Sequence, residues 1–381
     1  MGRLRDVAVL GAGVAGSSVA KALADKGWET VLIDRQTFPR HKVCGEFLSP
    51  ESQRMLHALG LQETVASLQP SLIERARLFF GQERPLEIPL PGIALGVSRY
   101  ALDLALHRAA QKSGVHVQTA ATATSVYPDG EGYVIETRQG KESQIYHARA
   151  VIAAWGANRR SGLPGHHRKG AARNRYVGVK SHFAGVAPEP VVELYFFPGG
   201  YLGVSPIEGG LVNVAALLAR NAFSHAEKTI LGMIEAAVRR NPKLGQKLAF
   251  AVPVPGTQAA VAPIDFHRKP VVWDSLPHAG DAALLIPPLC GDGMSMALRS
   301  AQLCGSLADS YLRGEISLSR WEHEYARSIR REFKGPLRWG RFLQWLVGVP
   351  VMPRLLPAIG RLAPEWAFRL VQATRLKESD L

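Results

Sequence analysis

Hydrophobic positions near the start of the chain form a short apolar run after Asp6 in "DVAVL", residues 6–10. A helical spacing across "AGSSVAKALADKG" follows, then a second apolar run in "ETVLIDR". A short apolar run beside glycine reads as a strand buried on both faces, and a period near 3.6 residues reads as a helix. The order predicts a parallel βαβ unit whose helix stops at Gly27. "SPESQRMLHALGL" predicts a helix with Ser49 as N-cap and Pro50 at its first position. Residues 70–98 give short β-like runs broken by proline and glycine. "SRYALDLALHRAAQKSG" predicts an amphipathic helix with Leu102, Leu106 and Ala109 or Ala110 on one face and Gly114 as its stop. "VHVQTAATATSVY", "GYVIETRQG" and "SQIYHARAVIAAWG" read as strands.

Residues 157–176 form a basic, glycine-containing loop, residues 177–220 are strand-rich and residues 225–248 are helical. The tail of "HAGDAALLIPPLCGDGMSMAL", residues 278–298, starts a helix that runs to about Arg313. The remainder is basic and rich in tryptophan, and there is no internal repeat or low-complexity segment. A nucleotide-type unit, a strand-rich insertion and a closing Gly/Asp segment predict two interleaved domains. The expected division gives one domain residues 1–70, 98–160 and 265–315, the other 71–97 and 161–264, and a basic helical region 316–381.

Composition sharpens this only in its charge. Hydrophobic residues make up 46% and charged residues 20%, ordinary for a globular chain, but the net charge is +14. Such a field favours anionic partners such as phosphates, acidic carriers or membrane surfaces. Nucleic acid ranks last, because no recognition motif for it is present. Cys44, Cys290 and Cys304 form no CxxC pair, so a reducing, cytoplasmic setting is expected, without zinc or a disulfide framework. The first residues mimic a signal peptide, but their glycine spacing fits strand–turn–helix better. "MGRLRD" lacks the Ser or Thr of a myristoylation site, and no apolar run is long enough to span a bilayer.

The candidate chemistry begins at Gly11, Gly13, Val14, Ala15 and Gly16, a GxGxxG turn between strand and helix. The first glycine permits the turn, the second lets backbone approach a pyrophosphate, and the third allows close helix–strand packing. Asp34 ends the next strand, placed to accept from a ribose, so FAD or NAD is expected rather than NADP.

A second cluster of glycines with an aspartate, residues 278–298, raises the question of why one nucleotide site needs two. Its pattern resembles the second FAD-binding motif of the flavoprotein monooxygenase and geranylgeranyl reductase superfamily. The resemblance implies FAD, held at opposite ends by the two clusters. Asp281 would take the ribityl chain, and backbone N–H groups of Gly291, Gly293 and Met294 would face the flavin pyrimidine edge. Gly280 and Asp292 belong to the same candidate cofactor segment. Leu284 stands where the family usually has histidine. "FPRHKVCGEFLSPE" is similar to the R-x-K-x-C-G-E segment of geranylgeranyl reductases and FixC-like dehydrogenases. That implies Lys42, Cys44 and Gly45 beside the flavin, with Arg35 and Arg40 near adenosine or pyrophosphate. Cys44 is then either a reactive catalytic thiol in a basic neighbourhood or a small packing residue. Arg99, leading its helix, resembles the family's phosphate-contacting arginine, and Ala123 matches the adenine-contacting backbone.

The strand "VELYFFPGGYLGV" resembles the family's substrate-domain strand, with Tyr195, Phe197 and Tyr201 as pocket wall. Lys180 and His182 share one strand face, directed into the pocket or toward solvent. Trp155 replaces the acid of the family's middle motif, so the electron donor is NAD(P)H or a redox protein. No metal is expected, since His166 and His167 have no carboxylate nearby. The C-terminal Trp339, Trp345 and Trp366, interleaved with Arg338, Arg341, Arg354, Arg361 and Arg369, suit a membrane surface through residues 335–376, a lid on an apolar substrate, or a packed layer.

The fold class expected is α/β: a Rossmann-type FAD-binding domain interleaved with a β-rich substrate domain, with a helical C-terminal region. The resemblance implies an FAD-dependent oxidoreductase. Hydroxylases are common in that superfamily, so the first expectation is a monooxygenase acting on an aromatic, polyketide-like or other apolar substrate through a flavin hydroperoxide. The alternative is a C=C reductase or dehydrogenase of an isoprenoid or lipid-like substrate, and the third reading is a non-catalytic flavin-binding module. The substrate would be small and apolar or aromatic, delivered by a carrier or a membrane, with the protein cytoplasmic or peripheral to the membrane.

Overall fold

A computed structural model describes residues 3–81, 84–130, 132–157, 163–164, 176–220, 229–348, 369 and 372–376. The apolar run at the start forms the strand Leu4–Leu10, and Gly13 stands at the N-cap of the helix Val14–Ala24. The strand Thr30–Ile33 then pairs parallel to the first, with Val9 beside Leu32. Six strands make this first sheet, in the order His116–Gln118, Thr30–Ile33, Leu4–Leu10, Glu142–Ala153, Gly132–Gln139, Thr122–Asp129. The first four run parallel, and an antiparallel meander completes the sheet. The fully buried helix-facing residues Val7, Val9, Val19, Leu23 and Leu32 join the core that the long helices share.

A second, nine-stranded sheet takes its strands chiefly from Ser71–Phe79, Leu86–Gly96 and Tyr176–Ile264. The two-residue strand Phe47–Leu48 pairs with Leu95–Gly96 and so ties the first unit to the edge of this sheet. The chain re-enters the first unit where Ala153 bridges His278 in parallel, next to the turn Gly280–Ala282. The helix Gly293–Leu312 follows and packs closely on Val14–Ala24, since a Cβ on Gly305 would lie 3.2 Å from Val19. A 31-residue helix, Leu318–Gly348, covers it with Trp321, Tyr325, Ile329 and Phe333 buried.

Several boundaries differ from the sequence reading. Ser52 and Gln53 bond back to Ser49 and Pro50 in a turn, so that helix spans Ser52–Ala58 with Glu51 as N-cap. Residues 70–98 hold two long strands rather than short runs. The expected helix over 225–248 is two, Ile230–Arg239 and Pro242–Lys247, because Asn241 caps the second through the Lys243 and Leu244 amides. Residues 221–228 lie outside the described residues, as does most of the 157–176 loop, with His166 and His167. Of the tail, Arg354, Arg361 and Trp366 also lie outside them. Among the described residues no helix is long and apolar enough to cross a membrane, and no group of metal-ligating side chains occurs.

Candidate functional site

A cavity of about 1390 Å³ lies between the two sheets. Its polar end is built by the first glycine cluster. Gly11 adopts φ +111°, and a Cβ there would lie 2.4 Å from the Ala154 carbonyl oxygen. A Cβ on Gly16 would lie 1.7 Å from the Gly11 oxygen. Both glycines are therefore demanded by packing. Gly13 differs: its absent Cβ would meet only the Arg99 guanidinium, at 3.7 Å, and the residue lines the cavity. Asp34 accepts from the Ala12 amide at 2.7 Å and from the Gln36 amide at 2.8 Å, which fixes its carboxylate at the cavity wall. Arg35, Arg40 and Ala123 line the same end.

Lys42, Val43, Cys44 and Gly45 form a side wall, and Lys42 Nζ stands 3.9 Å from the Asp281 carboxylate. Lys42 is deep in the molecule, but its side chain is 36% exposed because it faces the cavity. Burial and the nearby Arg99 lower its pKa from the ordinary lysine value. Asp281 projects into the cavity from the second cluster, its backbone carbonyl taken by Arg268. Gly291 lines the cavity with φ +73° and closes the turn before the helix Gly293–Leu312. The two clusters touch: a Cβ on Gly280 would lie 2.9 Å from that of Ala15.

The helices starting at Val14 and Gly293 have no side-chain cap, whereas Ser98, Thr229 and Asn241 cap three others. Uncapped helix starts leave amide N–H groups for an outside acceptor and favour negative charge. Two free helix starts, at Gly13 and beside Gly291, offer donors, and the fixed carboxylate of Asp34 offers an acceptor, a set that fits a long dinucleotide. Gly16, Val14, Ala15, Gly280, Gly293 and Met294 do not line the cavity; they are packing or helix-start positions behind it.

Arg99 is buried in a bidentate pair with Asp103, both bonds 2.7 Å, and does not line the cavity. Burial opposes its charge, but Asp103 keeps the guanidinium firmly protonated. Asp292 is also buried, against Arg375 at 3.1 Å, and Arg375 reaches Glu51 at 3.2 Å as well. Burial pushes the Asp292 carboxyl up to about 7 despite Arg375. Sequence reasoning missed Thr374 and Arg375, which line the cavity, because nothing in the chain's pattern ties its end to Asp292.

Three expected pocket residues are elsewhere. Tyr195 and Phe197 point into the core behind the second sheet, with Phe79 stacked on Tyr195 at 4.4 Å. Strand alternation gives the cavity Leu194 and Phe196 instead, and Phe196 pairs across the strands with Tyr201, which does line it. Lys180 is neither in the cavity nor in solvent. It lies fully buried behind the Lys42–Gly45 wall, with Nζ 2.8 Å from Glu46 Oε1. His182 Nε2 meets Glu46 Oε2 at 2.6 Å, and the Arg99 amide donates to Glu46 Oε1 at 2.9 Å. Burial opposes the Glu46 charge, but His182 and Lys180 outweigh it and hold the carboxyl below its usual range.

Away from the glycine clusters the cavity has an apolar wall, while Asp265, Arg268 and Lys269 line it from the segment after the strand Ala259–Ile264. Leu78, Phe80, Ile88, Leu90, Val192 and Leu194 form one wall, and Leu343, Leu346 and Val347 reach it from the last long helix. Trp155 lines the cavity nearer the polar end, edge-on to His278 at 5.5 Å.

The FAD binding domain family matches residues 5–331. A menaquinone reductase of Mycobacterium tuberculosis is 27% identical over 361 residues, covering 89% of this chain and 85% of that protein. Digeranylgeranylglycerophospholipid reductase 2 of Methanopyrus kandleri is 27% identical over 353 residues, covering 86% and 85%. Among solved structures, the myxobacterial chondrochloren halogenase CndH, an FAD-dependent enzyme, superposes with a TM-score of 0.76 at 22% identity, over 100% of this chain and 99% of that one.

Proposed function

The chain belongs to the FAD binding domain family and is an FAD-dependent oxidoreductase; from that premise we propose that it reduces carbon–carbon double bonds in an isoprenoid or similarly long apolar lipid. The observation that carries this reading is the apolar side of the cavity, where the sheet wall from Leu78 to Leu194 offers no charged side chain to a substrate. A compact polar aromatic would waste that surface; an extended hydrocarbon would bury against it, at about 25 cal/mol per Å² removed from water. The two reductases similar to this chain support it by their names.

In this reading Gly11, Gly13 and the helix start at Val14 hold the pyrophosphate, and Asp34 takes the adenosine ribose, with Arg35, Arg40 and Ala123 around the adenosine. Asp281 takes the ribityl chain. The Gly291 turn meets the pyrimidine edge, with the start of the helix Gly293–Leu312 behind it and Lys42, Cys44 and Gly45 alongside. When bound, FAD supplies hydride transfer between an electron donor and the substrate. The chain's own part is to orient the alkene, exclude water with the apolar wall, and place positive charge from Lys42 at the polar end. Trp155, where an acid would be expected, supports electrons arriving from a redox protein rather than from NAD(P)H. The exposed aromatic end of the helix Leu318–Gly348 supports uptake of the substrate from a membrane surface.

The test is single turnover. The FAD-loaded protein is reduced photochemically under anaerobic conditions, so the donor does not enter, and mixed with geranylgeranyl lipids. Flavin reoxidation with a product gaining two hydrogens is expected. A product that appears only with O₂ and gains an oxygen atom overturns reduction in favour of hydroxylation.

A further inference from the structure

Five tyrosines are buried among the described residues, and four of their hydroxyls have protein partners. Tyr133 donates to the Ser275 carbonyl at 2.8 Å, Tyr325 to the His278 carbonyl at 2.8 Å, Tyr146 to Gln144 at 2.9 Å and Tyr195 to Glu193 at 3.2 Å. Tyr201 is the exception: it is 6% exposed and its hydroxyl meets no hydrogen-bond partner. A buried polar group without a partner is uncommon and calls for an outside one. Unlike the other four, Tyr201 lines the cavity. Its surroundings are Phe196, Leu217, Phe266, Leu289 and Val347 on the apolar side. On the other side it is near Cys290, next to the Gly291 turn. Tyr201 thus marks the junction between the apolar wall of the cavity and its cofactor end.

We propose that Tyr201 is a specificity-determining residue whose hydroxyl donates to one carbonyl-type oxygen of an otherwise apolar substrate. The inference rests on the apolar-substrate reading above and narrows it: the preferred molecule is an isoprenoid with a carbonyl or quinone oxygen near its reacting end, rather than a bare hydrocarbon. Burial pushes the phenol well above its ordinary value, so it stays protonated and acts as a donor at any working pH. A site built to hydrogen-bond an oxygen disfavours the analogue that lacks it, because its own polar group is then left unpaired.

Two probes and one substitution test this. Dissociation constants of menaquinone and of squalene, both in detergent, are measured on the FAD-loaded protein and on Tyr201→Phe. The substitution removes one oxygen and no intramolecular bond, so the thermal midpoint is expected to stay or rise. Menaquinone is expected to bind about tenfold to a hundredfold more weakly to Tyr201→Phe, with squalene unchanged within about twofold. Equal losses for both probes, or no loss for menaquinone, overturn the inference while leaving the apolar-substrate reading in place. If neither probe binds the parent protein, both fall together.

Discussion

Gly11, Gly13 and Gly16 share a motif but not a physical task. A methyl group at Gly16 would collide with the Gly11 carbonyl, and one at Gly11 with Ala154, whereas one at Gly13, a residue lining the cavity, would meet only the Arg99 guanidinium at ordinary contact distance. Gly16→Ala is therefore expected to lower the thermal midpoint of the protein without cofactor. Gly13→Ala should keep that midpoint and weaken FAD binding about tenfold or more, as read by flavin titration. Equal midpoints for both variants would show that the two glycines have the same role. His41 carries a second residue-scale expectation. Burial, then Lys180 and His182, lower its pKa to about 4 against the pull of Glu46. Its unfolded value is near 6.5, so below that pH the unfolded chain binds the extra proton first. Stability should fall as pH drops from about 6.5 to about 4, and His41→Gln should flatten that part of a midpoint-against-pH curve. An unchanged slope would remove His41 as its source. The glycine motif and Asp34 were legible because their spacing encodes a turn. Tyr195 and Phe197 were not, because alternation along a strand says which residues share a face but not which face meets a cavity. The Glu46–Lys180–His182 cluster was hidden for a related reason: a charged pair on a strand reads as solvated until another segment is known to cover it.

At the scale of elements, most helices and strands could be read from periodicity, but partnership could not. "VHVQTAATATSVY" reads as one strand; it is two, His116–Gln118 and Thr122–Asp129, on opposite edges of the first sheet. Ala120, with φ +57°, turns the chain between them, a conformation that alanine's sequence context does not announce. The last long helix shows what close packing demands of an element. A Cβ on Gly340 would lie 2.8 Å from Cys290 Sγ and 3.3 Å from Ile286 and Pro287, so the helix presses onto the turn that precedes Gly291. Gly335, in the same helix, is exposed and its absent Cβ meets nothing. Gly335→Ala should leave stability nearly unchanged, because a propensity gain of up to about 1 kcal/mol is offset by the ring of Pro336, which crowds a Cβ on the helical residue before it. Gly340→Leu gains a similar propensity term but forces overpacking worth about 1–3 kcal/mol, and steric cost wins because several atoms stand in the way. A lowered thermal midpoint is expected for Gly340→Leu and little change for Gly335→Ala. A rise for Gly340→Leu would mean that the helix does not sit against the Cys290 turn.

At the scale of the whole molecule, a chain of net charge +14 brings basic side chains and the apolar cavity wall together on the helix Leu318–Gly348. Inward-facing Leu343, Leu346 and Val347 line the cavity, while Arg331, Lys334, Arg338, Phe342 and Trp345 form an exposed stripe at helical spacing. The stripe is basic along its first turns and aromatic at its end, with Trp345 62% exposed. Arg341 does not belong to it, because its guanidinium donates to the Phe266 and Arg268 carbonyls. Tryptophan suits an interface with one apolar and one wet side, and each basic residue near an anionic leaflet contributes about 1 kcal/mol. Arg331 also bonds to Glu332 at 3.3 Å, so Lys334 and Arg338 carry the attraction, roughly 2 kcal/mol or about thirtyfold in binding, which salt would screen. Co-sedimentation with anionic vesicles is expected at low salt, falling as salt rises and weak with neutral vesicles. Truncating this helix would confuse the test, since Leu337, Gly340 and Leu346 are buried and the core would open. Phe342→Ser with Trp345→Ser changes only exposed side chains. That variant should keep the parent's thermal midpoint and lose most vesicle binding. Replacing Arg331, Lys334 and Arg338 by glutamine should instead abolish the salt dependence. Equal sedimentation of all three proteins would show that the stripe does not contact the membrane and that an apolar substrate must reach the cavity by another route.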